Sequence, residues 1–89
     1  MIHLQVNPGS GVPIYRQVAE RIRQYIDSGF LSAGAELPSI RSLAASLQVN
    51  PATVAKAYGQ LEQDDTIDRD VQKWGQVTFL VSRIAHFAY

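Results

Sequence analysis

The chain has 89 residues, 46% hydrophobic and 18% charged, which suits one small folded domain spanning residues 1–89 and leaves little room for an enclosed catalytic cleft. Eight basic residues balance eight acidic ones and cysteine is absent, excluding disulfide staples and thiolate metal sites and giving no overall basic footprint for nucleic acid. No run approaches the ~18 apolar residues of a membrane span, and MIHLQVNPGS lacks the basic flank and apolar stretch of a signal peptide, so a cytoplasmic protein with no membrane partner is expected.

Ile2, Leu4 and Val6 alternate with His3 and Gln5, a period of two that predicts a short half-buried strand. The turn formers Asn7 to Gly11 end it. His3 and His86 lie far apart without ligand spacing, so both are read as structural. Pro13 suits a first helical turn, and Ile14, Val18, Ile22 and Ile26 then recur every fourth residue, with Tyr15, Ala19 and Tyr25 widening the stripe. This predicts an amphipathic helix of about four turns, stopped at Ser28-Gly29. The loop that follows can tuck Phe30, Leu31 and Leu37 beneath the next helix.

Ser39 is a sound N-cap after Pro38. Ile40, Leu43, Ala44 and Leu47 mark the buried side of a short helix that leaves Arg41, Ser42 and Ser46 outside. Gln48-Val49 turns the chain. Asn50 can cap the next helix with its side-chain oxygen and Pro51 takes its first position, where a missing N–H costs nothing. Val54, Ala57, Tyr58 and Leu61 form the inner stripe, leaving Ala52, Thr53, Ala55 and Lys56 on or near the outer face. Gln63 to Thr66 ends this helix. Two strand-like runs, Ile67 to Lys73 and Val77 to Val81, flank Trp74-Gly75-Gln76 and predict a hairpin. Ser82 can cap a last short helix that uses Ile84, Phe87 and Tyr89, a candidate dimer contact.

The pattern is a helix-turn-helix spanning about residues 39–62, followed by a hairpin at about 66–81. A helix that enters a major groove presents short side chains near its N-terminus so that its backbone approaches the base edges. Asn50, Ala52 and Thr53 fit, since Asn can pair with adenine and Thr can touch a thymine methyl or a phosphate. Lys56 can reach a phosphate or a guanine, and Arg41 can grip the backbone. Charge leans the same way by region, with residues 13–63 at +1 and residues 64–89 at −1. Phosphate-loop, dinucleotide-fingerprint and zinc-protease motifs are absent, so no enzyme, cofactor or metal is expected. The cluster Asp64, Asp65, Asp68 and Asp70 lacks the spacing of a calcium loop and reads as a solvated turn.

PIYRQV in the first helix, G-x-L-x-x-G-x-x-L-P-S from Gly29 to Ser39, R-x-L-A from Arg41 to Ala44, and VNPATVAKAYGQLE together resemble the winged helix-turn-helix of the GntR family of bacterial transcription regulators. The last motif is most similar to the YtrA-like and MocR-like branches. The resemblance covers residues 12 to about 64. It implies a mainly α fold (α+β), with a three-helix core plus a β-hairpin wing, acting as a homodimer on palindromic double-stranded DNA. Its contact positions fall on Arg41, Asn50 and Thr53, and its wing tip on Lys73 and Gly75.

Arginines that some branches carry in the recognition helix are here Pro51 and Ala55, so readout leans on Asn50, Lys56, Arg41 and DNA shape. At the wing tip Trp74 stands in place of an arginine and Val77 in place of a second glycine, which together with four nearby aspartates should weaken wing contacts. Eight residues follow Val81, too few for an effector pocket, and the sequence leaves open a minimal regulator, a truncated product or an isolated DNA-binding domain. The function expected is a DNA-binding repressor. The alternative is a protein-interaction or dimerisation module that keeps the scaffold with little or no DNA binding, which the zero net charge and altered wing favour.

Overall fold

The first helix, α1, runs from Ile14 to Asp27 in a computed structural model that describes residues 4–83. Val18, Ala19, Ile22 and Ile26 are its buried face, as the four-residue recurrence requires. Pro13 stands one position earlier than predicted. Its backbone is extended, and its carbonyl accepts from the Arg16 and Gln17 amides at 3.1 Å each, so it precedes the first helical residue. At the other end Gly29 takes a positive φ of 84°, and the Leu31 amide donates back to the Tyr25 carbonyl at 3.0 Å. This left-handed exit tucks Leu31 into the core but turns Phe30 outward, 65% exposed, with its ring 5.0 Å from that of Tyr25. The expectation that Phe30 is buried is therefore corrected.

The N-terminal segment is a second correction. Leu4 is buried and Val6 half-buried, yet residues 4–7 form no strand. The side chain of Gln17 takes the place of a partner strand. Its Oε1 accepts from the Asn7 amide at 2.7 Å, and its Nε2 lies 2.9 Å from the Asn7 carbonyl and 2.8 Å from that of Val12. Ile2, His3 and His86, and the last helix expected after Ser82 with Ile84, Phe87 and Tyr89, lie outside the described residues.

Helix α2 (Ile40–Leu47) starts where the Ser39 hydroxyl accepts from the Ser42 amide at 3.1 Å, and ends at Gln48 in left-handed geometry. Helix α3 (Pro51–Gln63) starts where Asn50 Oδ1 accepts from the Ala52 amide at 2.8 Å, with Pro51 at its first position. Each cap satisfies a backbone amide that would otherwise lack a partner and is worth about 1 kcal/mol. Strands β1 (Ile67–Val71) and β2 (Val77–Val81) pair antiparallel, with Ile67 opposite Val81, Arg69 opposite Phe79, and Val71 opposite Val77.

β1 stops two residues short of the predicted Lys73, because the chain must turn through Trp74 and Gly75, both at positive φ (69° and 77°). Consecutive positive φ values are the mark of a type I′ hairpin turn, and an L-residue such as Trp74 pays about 1–2 kcal/mol for that region. The sequence also leaves a third pairing unseen. The stretch from Gly34 to Leu37 lies along the other side of β2, with Gly34 N–H to Val81 O, Val81 N–H to Ala35 O, and Leu37 N–H to Phe79 O all at 2.8 Å.

One core joins these parts: Val18 and Ile22 of α1, Leu43 of α2, Val54, Tyr58 and Leu61 of α3, and Ile67, Phe79 and Val81 of the hairpin. Tyr58 is fully buried, its hydroxyl donating to the Pro38 carbonyl at 2.7 Å and its ring edge-on to Phe79 with centroids 4.8 Å apart. Tyr58→Phe leaves that carbonyl without its donor and should cost about 1–2 kcal/mol, read as a lower urea midpoint. Burial raises the Tyr58 hydroxyl above its ordinary value, so its contribution is complete below the unfolded value of about 10 and is lost as pH rises beyond it. Urea midpoints of the wild type should therefore fall more steeply than those of the Phe variant on the alkaline side of that value. Equal slopes would remove Tyr58 from the alkaline response.

Candidate nucleic-acid interface

Local sequence places the outer face of α3. With Val54, Ala57, Tyr58 and Leu61 turned inward, the 3.6-residue period leaves Ala52 and Lys56 exposed and Thr53 half-buried. These three residues share an open groove with Ile14 and Tyr15 at the start of α1. The groove continues past Gly59 and Gln60 toward Gln63 and Asp64. Its floor near the start of α3 is short-chained, which lets a ligand come close to the helix backbone.

Lys56 does not extend freely. Its ammonium lies 4.2 Å from the centre of the Tyr15 ring, a cation–π distance that holds the charge beside Ala52 and Thr53. Tyr15 is the functional candidate that sequence reasoning missed. Its position beside the four-residue stripe of α1 marks it as core, and it is half-buried, but its ring also carries the lysine. Nothing in the spacing of α1 announces a contact with a residue 41 positions later.

Asn50 spends its carbonyl oxygen on the Ala52 amide, so the group it still offers is its Nδ2 donor. A bidentate adenine contact would have to share that oxygen with the helix cap. Arg41 is exposed in the first turn of α2, and Lys73 and Gly75 are exposed at the hairpin tip. The structure thus gathers Ala52, Thr53 and Lys56 into one groove, sets Asn50 at its helical start, and leaves Arg41, Lys73 and Gly75 outside that groove.

Two other arginines are held in ion pairs. Arg23 pairs with Asp64 across α1 and the end of α3, and Arg69 pairs with Glu62 at 2.9 Å. The acidic run is thereby divided, with Asp64 in an ion pair, and Asp70 accepting from Gln72 Nε2 at 2.9 Å. Among the described residues no three potential ligands gather for a metal ion. No described helix is long and apolar enough to cross a membrane.

Residues 14–73 match the family described as bacterial regulatory proteins, gntR family. The chain is 38% identical over 65 residues to the HTH-type transcriptional repressor YtrA of Bacillus subtilis, covering 73% of this chain and half of that relative's length. Among solved structures, YtrA from Sulfolobus acidocaldarius, a GntR-family transcription factor, superposes with a TM-score of 0.77 at 38% identity over 93% of this chain and 84% of that one. The crystal structure of AraR(DBD) in complex with operator ORX1 superposes at 0.70 with 29% identity, over 91% of this chain and all of that one. Three helices with an antiparallel hairpin are the winged helix-turn-helix fold of these proteins.

The Tyr15–Lys56 contact has a measurable signature. In a double-mutant cycle of Tyr15→Leu and Lys56→Ala, thermal or urea unfolding should give a coupling of about 0.5–1 kcal/mol. Additive effects would mean that the ammonium is not held by the ring.

Proposed function

The chain belongs to the gntR family of bacterial regulatory proteins, and we propose that it binds double-stranded DNA as one domain, with its helix-turn-helix at about residues 39–62 and its wing at about 66–81. The observation that carries this reading is the capped start of α3, where Ala52 and Thr53 line an open groove beside a lysine held in place. Helix α3 enters the major groove N-terminus first. Thr53 and the Asn50 amino group meet base edges or phosphates, Ala52 admits the helix backbone, and Lys56 reads a base or grips a phosphate. Arg41 fixes register on the backbone. With Pro51 and Ala55 where an arginine could have read guanine, shape and deformability of the duplex supply part of the selectivity.

Few cations serve this face, so one copy binds weakly and a homodimer on a palindromic operator gains by engaging two half-sites. Repression is the simplest outcome, because occupying an operator suffices for it, and the similar Bacillus protein is named a transcriptional repressor. The setting is the cytoplasm, and the activity is not enzymatic. No cofactor, metal or catalytic residue enters this reading.

Selection from a random pool of duplexes at low salt, followed by a salt titration on the recovered sequence, tests the proposal. Affinity should fall steeply with ionic strength, as release of condensed counterions demands. Lys56→Ala should cost about 1–3 kcal/mol on the selected site through loss of a base contact. Arg41→Ala should weaken all duplexes alike and lower the salt slope by about one. Failure to enrich any sequence, with no salt-dependent binding, would favour a protein-interaction module on the same scaffold, the reading to which zero net charge points.

A further inference from the structure

The hairpin tip carries a feature that the helix-turn-helix does not explain. Trp74 is the sole tryptophan of the chain and is 97% exposed. It occupies a positive-φ turn position that Asn, Asp or Gly fills at lower cost. No packing against the body of the protein offsets that choice. Beneath it, Val71 and Val77 face each other across the strands and are 65% and 41% exposed. By strand alternation they continue the face that carries Ile67, Phe79 and Val81 in the core and Arg69 over the Phe79 ring, and this face leads past the body to the turn that bears the indole.

We propose that Trp74 is an apolar wedge that enters the minor groove of bound DNA, unstacks a base step and bends the duplex. This rests on the DNA-binding reading above. Minor-groove proteins insert large apolar side chains between base steps in this way, and an indole stacks on any base. Charge favours the same occupant. From Val71 to Arg83 the chain has no carboxylate and carries Lys73 next to the indole. Asp68 and Asp70 stand opposite Leu80 and Thr78 in the register, on the face turned away from Val71 and Val77. A second copy of the chain fits less well, since three side chains fall far short of the ~800 Å² per partner that a stable interface buries.

A single tryptophan makes the test direct. The full chain is titrated with the duplex recovered by selection, with anisotropy of labelled DNA reporting binding and tryptophan emission reporting the wedge in the same sample. Circularly permuted fragments measure the bend. Emission should be quenched in step with anisotropy, and the duplex should bend by at least about 20°. Trp74→Asn, which suits the turn, should hold or raise the melting temperature while losing the bend and about tenfold in affinity. Trp74→Phe should retain most of both. Saturated anisotropy with unchanged emission and straight DNA would overturn the wedge and leave the DNA-binding reading intact. So would an emission shift that follows protein concentration without DNA and vanishes with dissociation of a dimer, which would assign the indole to a second copy. Absence of any anisotropy change would overturn both readings.

Discussion

A phenol enclosed in a core must find an acceptor, and Tyr58 finds the carbonyl of Pro38. That requirement ties the middle of α3 to the residue just before the cap of α2, and the edge-on contact with Phe79 ties the same ring to the hairpin. The two helices of the helix-turn-helix and the wing are therefore registered through one side chain. The turn between the helices needs little more. Gln48 takes left-handed geometry, the Val49 amide returns to the Ala44 carbonyl at 3.0 Å, and Asn50 starts the next helix. Once α3 is fixed by its inner stripe, its outer face has no freedom of its own.

That outer face is sparing with charge. Arg23 and Arg69 are spent on structural ion pairs of the exposed kind that stabilise by less than about 1 kcal/mol each. Outside those pairs stand a lysine positioned by an aromatic ring, an arginine on α2, a lysine at the tip, and the exposed Arg16, Arg21 and Arg83. Short side chains along the groove compensate in part, because contact between backbone and duplex needs closeness as much as charge.

The helix-turn-helix was legible because its signals are local. Ser39, Asn50 and Pro51 declare their helical positions by chemistry that acts within three residues, and a 3.6-residue stripe names the buried face. What the sequence hid is non-local. The edge made by Gly34 to Leu37 reads as a loop because Ser-Ala-Gly-Ala carries no strand propensity, and its pairing is imposed by β2. The alternation of Leu4 and Val6 suggested a strand, but alternation cannot reveal that a glutamine on α1 will satisfy that backbone. Phe30 reads as buried, but its direction is set by the left-handed exit at Gly29. The stripe puts Lys56 on the outer face, where it is exposed, while its aromatic support belongs to another helix and has no mark in the pattern.

Pairing on both sides of β2 has a consequence for colloidal behaviour. The Gly34–Leu37 stretch covers one of its edges and β1 the other, so β1 is one of the two outer edges of this small sheet. Asp68, Arg69 and Asp70 occupy the middle of that strand. Charged residues on an edge discourage another chain from adding itself as the next strand. The carboxylates that look like a handicap beside a polyanion thus act as gatekeepers against edge-to-edge aggregation. A variant that exchanged them for neutral β-formers to tighten DNA binding would trade that affinity for a sheet able to grow.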